Sequence, residues 1–143
     1  MRTLAATALL GLLAACGSNG DDTTTFKTPD GETVTIAERK GESASWPEGF
    51  SPYPDAQVVS DMSMGTDEAS GQIITFESDD PADDIADFYR EQAETAGFAI
   101  NMDFKVDGDR LLTAEAPDGR TFSMNTETAA DVTEVSLSIS GGA

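Results

Sequence analysis

Alternation of apolar and polar residues is the feature that most constrains the fold of this chain. The alternation is strict at residues 98–106 (FAINMDFKV) and 134–139 (EVSLSI). A period of two predicts strands with one packed face and one face in water, which is the antiparallel arrangement. The side chains expected on the packed face are Phe98, Ile100, Met102, Phe104, Val106, Val135, Leu137 and Ile139.

One segment, DDPADDIADFYREQAETAGF, has the helical period instead. Asp80 is predicted to cap this helix, Pro81 to take its first position and Gly97 to end it in a left-handed conformation. The stripe that would face the core consists of Ile85, Phe88, Tyr89, Gln92 and Ala96, with Gln92 as its polar exception.

The remaining strands complete the predicted fold. A hairpin at 26–38 and a strand pair around the turn GTDEAS precede the helix, and the turn motif x-Pro-Asp-Gly-x-Thr occurs in both halves of the chain. The predicted order is β-β-β-β-α-β-β-β-β, an α+β fold in which an antiparallel sheet has a single amphipathic helix packed on one face. On this packing, Phe88→Ala and Phe104→Ala are each expected to cost about 3–5 kcal/mol.

Composition excludes several function classes. The formal net charge of −19 argues against nucleic-acid binding, which depends on neutralising phosphates. Histidine is absent, so Ser-His-Asp and Cys-His triads and histidine-ligated zinc sites cannot form within this chain. A pair of carboxylates could still act as acid and base, but the sequence does not single out any one pair among the 27 acidic residues. We therefore predict no enzyme, no catalytic residue, no cofactor and no metal site.

Two acidic segments have some features of calcium sites. The run Asp79, Asp80, Asp83 and Asp84 is more typical of helix capping and of the positive end of the helix dipole. The segment 103–114 places Asp103, Asp107 and Gly108 at EF-hand positions, but Lys105 and Ala114 replace two ligands. We interpret it as a hairpin with an Asp107-Gly108 turn.

The segment 39–55 is predicted to be irregular, because its three prolines oppose helix formation. Trp46, Phe50 and Tyr53 are spaced through it. Such aromatic residues can form a binding surface, or they can fold back as a lid over the core. The second interpretation is favoured.

The N-terminus has the pattern of an export signal. Arg2 precedes an apolar run of about ten residues, which is too short for a membrane span of about 20. The following Leu13-Ala14-Ala15-Cys16 resembles the lipobox of bacterial lipoproteins. This resemblance implies cleavage before Cys16, a thioether-linked diacylglycerol on its sulfur and acylation of the new amino terminus. The alternative is an ordinary signal peptide cleaved elsewhere.

These signals divide the chain into three parts: a signal peptide (1–15), a lipidated cysteine with a flexible tether (16–25) and a single domain (26–141). Because Cys16 is the only cysteine, no disulfide can form within the domain.

Residues 46–98 resemble small uncharacterised bacterial envelope lipoproteins. In these, a Pro-x-Tyr-Pro-Gly-Ala segment enters a strand, and an Asp-Ser-Pro helix start leads to Phe-Tyr. The corresponding residues here are Pro52-Tyr53-Pro54-Asp55-Ala56 and Asp79-Asp80-Pro81, with Phe88-Tyr89 following. The resemblance implies no activity.

The sequence therefore predicts a non-enzymatic lipoprotein, anchored to a membrane through Cys16 and facing the periplasm. Its role would be structural, or the binding of an envelope protein or cell-wall partner. Gly17 replaces the aspartate that retains lipoproteins at the inner membrane in enterobacteria-like sorting, which favours the outer membrane. The alternatives are a cation or small-ligand binder that uses the acidic surface and, remotely, a carboxylate-dependent hydrolase.

Overall fold

The computed structural model describes residues 21–29, 33–39, 44–66 and 69–142. These residues form eight strands and one helix. In chain order they are β1 (Asp21–Lys27), β2 (Thr33–Arg39), β3 (Gln57–Gly65), β4 (Ala69–Ser78), α1 (Ala82–Thr95), β5 (Ala99–Val106), β6 (Asp109–Glu115), β7 (Thr121–Ala129) and β8 (Val132–Gly142).

All eight strands belong to one antiparallel sheet, in the order β1-β2-β3-β4-β8-β7-β6-β5. Strands β4 and β8 pair at its centre, and β1 and β5 are its edges. Helix α1 carries the chain from the centre to the β5 edge and lies nearest to β5, β6 and β7. We call the face that carries α1 the helix face and the opposite face the outer face.

The predicted α+β class is wrong, because the described residues form a mostly-sheet fold with a single 14-residue helix. A helix of this length extends for only about 21 Å. It covers one end of the eight-stranded sheet and does not form a helical layer. The sequence pattern identified the helix, but it did not show how small a part of the sheet the helix would cover.

The core lies between α1, the helix face of β4, β6, β7 and β8, and the irregular segment that precedes β3. Each of its large apolar side chains contributes roughly 1.5–3 kcal/mol on burial. The core cluster includes Phe50, Tyr53, Ile74, Phe76, Ile85, Tyr89, Phe98, Leu112, Phe122, Met124, Val135 and Leu137.

The prediction for α1 is wrong at the start of the helix and confirmed at its end. At the start, the N-cap is Pro81 and makes no side-chain capping bond, so the cap assigned to Asp80 is wrong by one residue. At the end, the prediction is confirmed: Gly97 has φ +89°, and the amide of Phe98 donates to the carbonyl of Ala93 at 2.9 Å. Together with the bond from the amide of Gly97 to Glu94, this is the Schellman arrangement.

Strand β5 contains a bulge that the alternation did not reveal. Ile100 pairs with Ala114 and Met102 pairs with Thr113, so Asn101 is an extra residue. A bulge puts two successive side chains on the same face. Beyond it the apolar side chains turn to the outer face.

The predicted inward orientation of Met102, Phe104 and Val106 is therefore wrong. Phe104 is 58% exposed, so the large cost expected for Phe104→Ala no longer holds. Phe88 is partly buried against the core, and the expected cost of its truncation stays a prediction.

The N-terminal boundary also changes. Strand β1 begins at Asp21, so residues 21–25, which were assigned to the flexible tether, belong to the sheet. The signal peptide, the lipobox and Cys16 lie outside the described residues. Within the described ranges, no helix is both long enough and apolar enough to cross a membrane.

Candidate functional site

An open cleft of about 490 Å³ lies on the helix face, over the part of the sheet that α1 leaves uncovered. This volume is within the range of about 300–1,000 Å³ that is typical of small-molecule sites. Most of the lining residues have small side chains, and most of the surface that they expose is apolar. The lining consists of Thr35, Ala37, Pro47, Ser63, Met64, Gly65, Ser70, Gly71, Gln72, Arg120, Ile139, Ser140 and Gly141.

The strand register explains why this part of the helix face is open. Met62 pairs with Ile73 on the outer face, whereas Ser63 pairs with Gln72 on the helix face beside the buried Ile74. Strand β2 continues the pattern, since Ala37 pairs with Ser63. At this part of the sheet the small side chains of Ala37 and Ser63 thus face the cleft, whereas the large side chain of Met62 faces outward.

Gln72 connects the cleft to a buried carboxylate. Its amide nitrogen donates to Asp61 at 2.6 Å and to the carbonyl of Ser45 at 2.7 Å. Asp61 is fully buried and also accepts bonds from the amide of Ser45 at 2.9 Å and from its hydroxyl at 3.2 Å. These contacts hold the start of the irregular segment at the rim of the cleft.

Arg120 forms another part of the rim. Its guanidinium carbon lies 4.9 Å from the ring centre of Phe98, and its Nε donates to Asp118 at 2.8 Å. The hydrogen bond from Arg120 holds the pKa of Asp118 below its usual value. A Cβ at Gly141 would lie 2.5 Å from Cγ of Arg120, so the missing side chain at this position makes room for the arginine.

The aromatic residues before β3 fold back onto the core, which confirms the lid interpretation. Trp46 stacks on Tyr89 with ring centres 6.3 Å apart, and Phe50 stacks on Phe122 at 5.1 Å. Tyr53 packs edge-on against Phe88 at 5.0 Å. The lid therefore closes the middle of the helix face, between α1 and the open cleft.

Gln92, the polar member of the helix stripe, fastens this lid. Its side-chain oxygen accepts from the amide of Ser51 at 2.8 Å, and its nitrogen donates to the hydroxyl of Ser51 at 3.0 Å. Tyr89 adds a bond from its hydroxyl to the carbonyl of Ser51 at 3.3 Å. Gln92 and Tyr89 thus satisfy the backbone hydrogen-bonding groups of Ser51, which lies in an irregular segment.

The acidic residues at the start of α1 have different partners. Asp83 and Asp84 lie in the first turn of α1, as predicted. Asp80 accepts the hydroxyl of Tyr53 at 2.8 Å. Hydrogen bonds from Lys105 and Arg110 hold the pKa of Asp83 below its usual value. Among the described residues, no group of three or more potential metal ligands is close enough to hold an ion.

The second acidic segment is the predicted hairpin. Val106 pairs with Asp109, and the two residues between them have positive φ angles, +52° at Asp107 and +101° at Gly108. These angles fit a type I′ turn. Asp103 lies on the helix face, where it pairs with Arg90 and Arg110.

Sequence reasoning did not identify Gln72, Asp61 or Arg120. The available signals were weak: a glutamine at the start of an apolar strand, and an arginine directly after a Pro-Asp-Gly turn. Their roles depend on strands that are distant in sequence. The described lining of the cleft combines hydroxyl, amide and guanidinium groups with a larger apolar surface, and the guanidinium of Arg120 is paired with Asp118, so the lining offers both polar and apolar contacts to a small molecule.

One comparison with known proteins gives a match. A family model described as START domain-like matches residues 58–135, from the second residue of β3 into β8. The matched range includes Ser63, Gln72 and Arg120 of the cleft. No curated protein and no solved structure matches the chain.

Proposed function

The chain belongs to the START domain-like family, and on this premise we propose that it is a non-catalytic protein that binds a small ligand in the cleft. Domains of this family are typically ligand-binding. The observation that carries the proposal is the cleft itself: an opening of ligand size on the helix face, lined by small side chains. Ser63, Gln72 and Arg120 supply its polar contacts.

The charge distribution supports a ligand that is not a cation. The chain has 27 acidic and 8 basic residues, yet the described residues that line the cleft include one arginine and no carboxylate. Charged groups within a few ångströms dominate the interaction with a bound molecule. The cation-binding alternative, which required the acidic surface to act as the site, thus finds no support at the cleft.

The proposal places the domain at a membrane. The lipobox-like Leu13-Ala14-Ala15-Cys16 supports a lipid anchor, and β1 starts at Asp21, five positions after Cys16. An extended chain of five residues spans at most about 18 Å. The cleft would then bind its ligand close to the periplasmic surface of an envelope membrane, with the outer membrane favoured by Gly17.

Two neighbouring positions on β3 test the cleft. Ser63→Phe puts a ring into the cleft, whereas Met62→Phe changes the adjacent residue, which faces outward. We expect native mass spectrometry of the full chain purified from its own membranes to detect a bound small molecule in the wild type and in Met62→Phe. In Ser63→Phe the bound mass should be absent.

Thermal melts of both variants serve as the folding control. Retention of the bound mass in Ser63→Phe, with an unchanged melt, contradicts binding in the cleft. A wild type that carries no small molecule, and whose melt is unaffected by extracts of its own envelope, contradicts the ligand-binding function as a whole.

The anchor is tested separately by metabolic labelling with a palmitate analogue. We expect label on the wild type and none on Cys16→Ser. Absence of label on the wild type, or label that survives the substitution, refutes the lipid anchor and leaves the cleft proposal standing.

A further inference from the structure

Strand β5 is an edge of the sheet with an unusually apolar outer face. Met102 is 50% exposed, Phe104 58% and Val106 48%. Edge strands present unpaired backbone N–H and C=O groups, and a flat apolar edge is a template for pairing with another strand. The bulge at Asn101 creates this surface, since it turns the three side chains away from the core.

The residues of β5 are complementary to themselves when two copies run antiparallel. With Phe104 opposite Phe104 of the second copy, Met102 is opposite Val106 of that copy, and Asp103 is opposite its Lys105. The outer face then holds only apolar cross-strand pairs, and the helix face holds two pairs of opposite charge. Both kinds of pair stabilise antiparallel strands.

From this complementarity we propose that two copies of the protein associate through β5, centred on Phe104, and form one continuous sheet of sixteen strands. The contact is two-fold symmetric, so the same patch serves both partners and the assembly closes at a dimer. The inference rests on β5 alone and does not depend on the cleft.

The charges favour a second copy over an unrelated strand. Asp103 and Lys105 are held in place by their own neighbours, Arg110 and Asp83, so their side chains are already ordered on the helix face. A shift of the register by two residues would place Asp103 opposite Asp103, or Lys105 opposite Lys105. Like charges directly opposite each other are destabilising, so only the register centred on Phe104 satisfies both residues.

Disulfide trapping tests this register. Residues directly opposite in an antiparallel pair have Cα atoms about 4.5–5.5 Å apart, within the disulfide range of about 4.4–6.8 Å. In this register Met102 is opposite position 106 of the second copy. The Met102 of that copy lies four residues away along its strand, so the two copies of Met102 are separated by roughly 13 Å. Met102→Cys is thus a matched control for Phe104→Cys on the same face of the same strand.

We expect mild oxidation of the full chain in its own membranes to yield a covalent dimer for Phe104→Cys. Met102→Cys should remain at the background of the wild type, which has Cys16 alone. Equal cross-linking of the two variants, or cross-linking of Phe104→Cys to a different protein, overturns the proposal.

A second pair of variants avoids the introduced thiol. Phe104→Glu would place two carboxylates opposite each other, whereas Ile73→Glu adds the same charge to the outer face of β4, away from the edge. Light scattering of the full chain in detergent should give a dimer for the wild type and Ile73→Glu and a monomer for Phe104→Glu. A monomeric wild type, or a dimeric Phe104→Glu, overturns the proposal.

Discussion

Tyr53 joins the irregular segment to the start of the helix through two different parts of its side chain. The ring packs edge-on against Phe88, and the hydroxyl donates to Asp80 at 2.8 Å. Asp80 was expected to cap the helix, and the structure uses its carboxylate for this bond instead. The spacing of the aromatic residues indicated that Tyr53 would be buried, but it contained no information about the partner of its hydroxyl.

The bond of Tyr53 has a consequence at high pH. Burial first, and then the carboxylate of Asp80, raise the pKa of Tyr53 to about 12. An exposed tyrosine titrates near 10, so the stabilisation by the neutral phenol is complete below about pH 10. It is lost as the pH rises from there to about 12.

We therefore expect the free energy of unfolding to fall over this interval, and to fall less in Tyr53→Phe. Urea titrations at pH 9, 10 and 11, followed by the fluorescence of Trp46, measure the difference. At pH 7 the substitution should cost about 1 kcal/mol. Identical pH profiles for wild type and variant would contradict the assigned hydrogen bond.

Phe104 and Phe122 provide a test of the bulge. Phe122 is 1% exposed, whereas Phe104 is 58% exposed. Phe122→Ala should destabilise the protein by about 3–5 kcal/mol, because it opens a cavity in the core. Phe104→Ala should change stability by less than about 0.5 kcal/mol, as for other surface positions.

These values are measured on the isolated monomer, for example by chemical denaturation at high dilution. A cost for Phe104→Ala that is close to that of Phe122→Ala would show that β5 has no bulge and that its apolar residues face inward.

Among the elements, α1 was predicted most completely. Its period, its acidic first turn and its glycine stop are all local features that act within a few residues of chain. Strand β5 was predicted as a strand, but with the wrong face inward beyond Asn101. The charged residues Asp103 and Lys105 find their partners on α1 and β6, which are distant in sequence, and those pairs lie on the helix face.

The helix stop leads to a prediction about backbone conformation. Gly97 has φ +89°, and a Cβ there would meet no atom within 4 Å. Gly97→Ala should therefore cost about 1–2 kcal/mol from the left-handed conformation alone. Gly65 also has open space around it but does not have a positive φ, so Gly65→Ala is the matched control and should be nearly neutral. Equal costs for the two substitutions in thermal melts would refute the conformational explanation.

For the molecule as a whole, the dominant electrostatic feature is a net charge of −19. Repulsion among so many carboxylates opposes the compact state and also opposes dimer formation. The ion pairs around Asp83 act over short distances and are screened less than this long-range repulsion. The Debye length shortens from about 30 Å at 0.01 M salt to about 10 Å at 0.1 M, so added salt removes mainly the repulsion.

We therefore expect the melting temperature to rise between 10 mM and 300 mM NaCl, and the dimer to become more stable over the same range. KCl at equal ionic strength should have the same effect, because screening does not depend on which monovalent cation is present. A melting temperature that falls with salt would show that local ion pairs, and not net charge, dominate the stability.

The amino-acid sequence alone determined the features that depend on near neighbours. These include the glycine stop of α1, the Asp107-Gly108 turn and the inward face of β8, where Val135 and Leu137 are buried. Capping, turn conformation and strand alternation act within a few residues, and they are therefore readable from the chain.

Only the tertiary structure decided which surfaces remain uncovered. The cleft arises because α1 is too short for an eight-stranded sheet and because Ser63, Gln72 and Ile139, from three parts of the chain, face the same opening. The apolar edge arises because one extra residue in β5 reverses its alternation. Both depend on how strands that are distant in sequence pair with one another, and the periodicity of a single strand contains no information about its partner.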